Sequence, residues 1–121
     1  MPLAKQMMGG GVSAGMAKAI NGSVATGLTA AGTTQATGLA INAGFALLAT
    51  VAANSGATLP SCEVGDTVEV YNAGANAATL YPDVGSNINS LSVNTGISLA
   101  TNTAIKFRRV TATRWIGYLS A

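Results

Sequence analysis

The chain has 121 residues, a formal net charge of +2, 8% charged side chains, no histidine and one cysteine. That length holds one domain, and so small a charge excludes binding driven by a basic nucleic-acid surface. Catalysis and metal binding need ionisable or ligating groups, and between Lys18 and Glu63 there is no charged side chain.

Residues 1–22 read as an extended arm. Lys5, Gly9-Gly10-Gly11 and Lys18 interrupt any continuous apolar run, so no secretory signal is expected and the chain is expected to be soluble and intracellular at synthesis. Gly9-Gly10-Gly11-Val12-Ser13-Ala14 formally fits a dinucleotide fingerprint. That motif needs a strand before it and an acid about twenty residues on, whereas the first acid is Glu63. The better reading gives the glycines freedom and the methionines adaptable apolar contact. The arm's expected contact residues are Met1, Pro2, Leu3, Met7, Met8, Val12, Met16 and Ile20.

From residue 23 the pattern changes to short strands. Residues 24–30 and 37–41 flank a turn at Ala31-Gly32-Thr33-Thr34, and residues 44–52 form the most apolar segment, read as a central strand with a helix left open. Residues 57–60 end at a proline. Residues 66–71 alternate, with Val68 and Val70 on one face and Thr67, Glu69 and Tyr71 on the other. Asn72-Ala73-Gly74 predicts a hairpin returning through residues 77–81. Further strands are predicted over 87–91, 97–100, 104–110 and 114–119. The expected fold is all-β, a small antiparallel sandwich, jelly-roll-like or barrel domain over residues 23–121. The longest apolar stretch is too short and too interrupted to span a bilayer, so no membrane partner is expected.

Side chains that carry chemistry are few. Cys62 has no disulfide partner and no histidine to activate it, which makes it a small buried or loop residue rather than a nucleophile. Glu63, Asp66 and Glu69 lie three apart in loop-to-strand sequence, a spacing that pairs no carboxylates for glycosidase chemistry. Lys106, Arg108, Arg109 and Arg114 form a basic group near the C-terminus, in which Lys106 and Arg108 alternate beside Phe107 and Trp115; it reads as a solvated strand face or a contact for an acidic protein surface, with nucleic acid the lesser alternative. Tyr71, Tyr81, Trp115 and Tyr118 read as core or cross-strand packing. The sharper reading is a carbohydrate- or base-stacking platform with Asp83 and Asn87 as polar partners. No catalytic residue, cofactor or metal site is expected, and the chain reads as a structural or binding module rather than an enzyme. Its large apolar residues are few, so self-association is expected to supplement a thin core.

The run Thr26-Gly27-Leu28-Thr29-Ala30-Ala31-Gly32-Thr33-Thr34-Gln35-Ala36 resembles a module recurring in structural proteins of tailed bacteriophages. So do Leu59-Pro60, Gly65-Asp66-Thr67-Val68-Glu69-Val70-Tyr71-Asn72, Gly74-Ala75, Leu80-Tyr81-Pro82, Gly85-Ser86-Asn87-Ile88-Asn89-Ser90-Leu91 and a last apolar strand closing on Trp115. The resemblance covers residues 24–119, leaves the arm unmatched, and points to the capsid cement (decoration) proteins. It implies a virion protein on the capsid exterior, made in the host cytoplasm, that binds the major capsid protein and self-associates as a dimer or trimer. It implies no catalytic residue and no nucleic-acid contact. The alternative is a tail fibre or baseplate module that binds a host-surface glycan.

Overall fold

The computed structural model describes residues 23–120, and the regular structure in it is all β. In chain order the strands are β1 (Val24–Thr29), β2 (Leu39–Ala40), β3 (Phe45–Thr50), β4 (Gly56–Thr58), β5 (Thr67–Asn72), β6 (Ala78–Tyr81), β7 (Asn87–Ile88), β8 (Ile97–Leu99), β9 (Thr103–Thr111) and β10 (Arg114–Leu119). They form a six-stranded sheet, β1-β3-β5-β9-β10-β7, and a four-stranded sheet, β2-β4-β6-β8. No helix among the described residues is long and apolar enough to cross a membrane.

The connectivity corrects the expected antiparallel sandwich or jelly roll. From β1 to β6 the chain alternates between the sheets, so β1, β3 and β5 pair in parallel, as do β2, β4 and β6. The first six strands therefore stack as three rungs of a coil, β1 with β2, β3 with β4, and β5 with β6. Apart from an isolated antiparallel bridge between Ala31 and Gly56, antiparallel pairing enters only afterwards, where β9 joins β5 and β10, and β8 joins β6.

The predicted hairpin at Asn72 fails for a local reason. Asn72 closes β5 facing inward and fully buried. Its amide donates to the carbonyls of Asn76 (2.8 Å) and Leu99 (3.0 Å), and its oxygen accepts from the Gly74 N–H (2.9 Å). A satisfied buried amide of this kind fixes a unique corner. It carries the chain across the core into the other sheet, so Tyr71 and Tyr81 lie in different sheets.

Asparagine does similar work elsewhere. Asn54, Asn89, Asn94 and Asn102 have φ between 53° and 65°, a left-handed conformation that asparagine tolerates better than most residues. Asn89 ends the predicted 87–91 strand at Ile88, and its side-chain oxygen accepts from the Gly117 N–H at 2.9 Å.

One apolar core lies between the sheets, with Ile41, Leu48, Leu80, Ile88, Leu99, Ile105, Phe107 and Trp115 fully buried. Pairing sets its rows: Ala25, Ala46, Val70 and Ile105 run in line across β1, β3, β5 and β9. Ala46 is fully buried and Ala25 half-buried, so small side chains occupy the β1–β3 part of this row. The thickness comes from the other end. Phe107 meets Trp115 edge-on, with ring centroids 6.3 Å apart, and Gly117 opposite Phe107 leaves the space the ring occupies.

Candidate interaction surface

Period-2 alternation along β3, β5 and β9 turns every second residue away from the core. Phe45 and Leu47 of β3, Thr67, Glu69 and Tyr71 of β5, and Lys106 and Arg108 of β9 lie on the outer face of the larger sheet. The register aligns Val24, Phe45, Glu69, Lys106 and Tyr118 in one row across five strands. A second row runs through Leu47, Tyr71 and Ala104. Phe45, Leu47 and Tyr71 are half-buried, while Val24 and Tyr118 at the flanks are 66% and 60% exposed. The β1 side of this face is apolar, and the β9–β10 side is cationic, with Lys106, Arg108 and Arg114 all exposed.

The basic group of the C-terminal strands does not act as a unit. Arg109 points inward and is 4% exposed. Its Nη1 donates to Asp83 Oδ1 at 2.7 Å, its Nε to the Thr111 carbonyl at 2.9 Å, and its Nη2 to the Ala112 carbonyl. The guanidinium carbon lies 5.1 Å from the centre of the Trp115 ring, within cation–π range. The Trp115 Nε1–H also donates to Asp83 Oδ1, at 2.9 Å. Burial works to raise the Asp83 pKa, but hydrogen bonds from Trp115, Arg109 and Ser86 and the Arg109 charge outweigh it, holding the carboxyl below its ordinary value. Largely buried and paired, this cluster ties β9 and β10 to the loop before β7.

The glycan-stacking reading loses two of its members here. Trp115 is fully buried, and Asp83 is occupied beneath it. Tyr81 is half-buried in the smaller sheet, its hydroxyl donating to the Thr33 carbonyl at 3.0 Å. Phe107 and Trp115 lie on the opposite side of their sheet from Lys106 and Arg108, so these two rings do not share a face with the cations.

Cys62 sits half-buried between β4 and β5. Burial first, then the charges of Asp66, Asp83 and Glu63, raise its thiol pKa to about 11, against a smaller opposing pull from Arg109. It is a protonated thiol at neutral pH, poorly suited to nucleophilic work. The side chain of Asp66 accepts from the Glu63 N–H at 3.0 Å and shapes the loop. Glu69 stands on the outer face, opposite Lys106. No group of three or more His, Cys, Asp or Glu that could hold a metal ion occurs among the described residues.

The eight arm residues expected to make contacts, Met1, Pro2, Leu3, Met7, Met8, Val12, Met16 and Ile20, lie outside the described residues. Sequence reading missed the outer apolar rows, because no local signal says which strands are neighbours. It also missed the inward turn of Arg109. The signal was present there: Arg108 and Arg109 are adjacent in a strand, so one of them had to face the core.

No family model, curated protein or solved structure matches this chain.

Proposed function

We propose that this protein is a non-catalytic virion component that binds the outside of a bacteriophage head and stabilises it by bridging major capsid protein subunits. The observation that carries the reading is the outer face of the larger sheet, where Val24, Phe45, Leu47 and Tyr71 make an apolar surface beside a cationic margin. Such a surface costs little to desolvate on its apolar side. The margin adds charge selectivity for an acidic partner. The resemblance over residues 24–119 to structural modules of tailed phages supports the same conclusion.

In this reading the domain self-associates as a dimer or trimer through its uncharged surfaces. The arm reaches a capsid protein or an adjacent copy by strand addition or as an apolar clasp. Many modest contacts repeated over the shell sum to a strong effect through multivalency. The test is stoichiometric: the chain is quantified against the major shell protein in purified virions. A ratio near one per shell subunit, or a fixed large fraction of it, is expected. A handful of copies per particle would favour the tail-module reading, and absence from the particle would end the virion reading.

A further inference from the structure

Apart from the buried Asp83–Arg109 pair, the charged side chains among the described residues are Glu63, Asp66, Glu69, Lys106, Arg108 and Arg114, and no ion pair joins any two of them. The acids belong to β5 and the loop before it, the bases to β9 and β10. They lie side by side along the larger sheet, acids on the β5 side and bases on the β9–β10 side.

The flanks of the same face are apolar. β3 turns Ala46 and Leu48 into the core and Phe45 and Leu47 outward. Apolar residues on both sides are the pattern of a parallel strand covered on both faces. Among the described residues, no strand packs over this side of the sheet.

The order of the charged row identifies the cover. Across β3, β5, β9 and β10 it reads Phe45, Glu69, Lys106, Tyr118, or ring, acid, base, ring. A two-fold axis parallel to the strands, running between β5 and β9, reverses this row upon itself. Glu69 then faces Lys106 of a second copy, and Phe45 faces the other copy's Tyr118. In the next row Tyr71, paired with Ala104 in its own sheet, faces Ala104 of the second copy, large against small.

The remaining charges obey the same symmetry. Glu63 and Asp66 precede β5 at the end where Thr67 pairs with Arg108, and β10 begins with Arg114 at that same end. Rotation about this axis leaves strand direction unchanged, so the acidic loop comes over Arg108 and Arg114 of the second copy. An unrelated acidic protein would satisfy the bases and set its own carboxylates against these acids. A second copy satisfies both signs at once.

We propose that the free protein is an isologous dimer, two copies packed face to face through the outer sides of their larger sheets about this axis. The contact covers Phe45, Leu47 and Tyr71 and gives each exposed charge an opposite across the interface. The dimer stands without the virion reading. Where that reading holds, the dimer is the form free in solution, and a head protein competes with the second copy for one face.

Sedimentation equilibrium of the full chain tests this through the dimer dissociation constant of wild type and four variants. Glu69→Lys and Lys106→Glu each bring like charges together across the axis and should weaken the dimer about tenfold or more. The double variant Glu69→Lys/Lys106→Glu restores opposite charges and should return to within about threefold of wild type. Tyr118→Ala removes an exposed ring at the flank, 60% exposed, and should weaken the dimer about fivefold. It keeps the test decisive if a charge reversal disturbs folding. A wild-type chain still monomeric at about 100 μM would assign the face to another occupant and overturn the proposal. So would a trimer, or a dimer equally tight in wild type, both single reversals and Tyr118→Ala. Copy number in virions is a separate measurement, so the dimer and the functional reading fail independently.

Discussion

Asp83 uses one carboxylate oxygen to accept from both Arg109 and Trp115, so a single residue decides whether a buried guanidinium is tolerated. Asp83→Asn retains the shape and removes the charge, leaving Arg109 buried without its counter-ion. Breaking one side of a buried pair costs about 3 kcal/mol, which urea denaturation at pH 7 should show as a lower midpoint at unchanged slope. An unchanged midpoint would remove the ion pair from the fold's energetics. The sign of the pH effect follows from the lowered carboxyl pKa. A depressed acid stabilises the fold above its unfolded value, here 3.8, and that stabilisation is lost as pH falls through the lower folded value. Wild type should therefore lose stability in that acid window, and Asp83→Asn should lose less over the same range. Cys62 provides a second check. A thiol raised from 9.0 to about 11 holds about a hundredfold less thiolate at pH 8 than an ordinary one. Alkylation should accordingly be at least about tenfold slower in the native protein than in urea.

At the scale of elements, β3 separates packing from surface within two adjacent residues. Leu48 is fully buried in the core, whereas Leu47 lies on the outer face, half-buried. Leu48→Ala should cost about 3 kcal/mol by removing core contacts and leaving a cavity, while Leu47→Ala should cost about 1 kcal/mol or less. Thermal or chemical denaturation of the two variants checks the contrast. Near-equal losses would mean that the outer face is itself packed in the isolated protein, and would weaken its role as a contact surface. β5 was legible in its alternation, with Val68 and Val70 facing inward, but its last residue, Asn72, was read as a turn. β6 was legible as a strand but not as a neighbour. A short polar segment after a strand signals a change of direction, and the choice between folding back and crossing over rested on where the Asn72 side chain found its three partners.

For the whole molecule, the proposed role predicts a specific loss of function. Removing residues 1–15 should abolish or sharply weaken binding to phage heads in co-sedimentation while circular dichroism still reports a folded β domain. Undiminished binding would assign recognition to the described domain alone, with the Val24–Phe45–Tyr71 face as the remaining contact. Of that contact surface little could be read in advance. The apolar residues were visible, but their assembly into rows required the parallel register of β1, β3 and β5.

By itself the sequence determined the all-β class and roughly where most strands lie, with a helix still open over residues 44–52. These follow from alternation and turn preferences that act over two to four neighbouring residues. The tertiary structure decided what those local rules do not reach: that consecutive strands change sheets, that the early pairs are parallel, and that Arg109 and Trp115 face inward onto Asp83. Each of these depends on residues 18 or more positions apart meeting in the fold, where one buried amide or one ion pair outweighs the local preference for a simple hairpin.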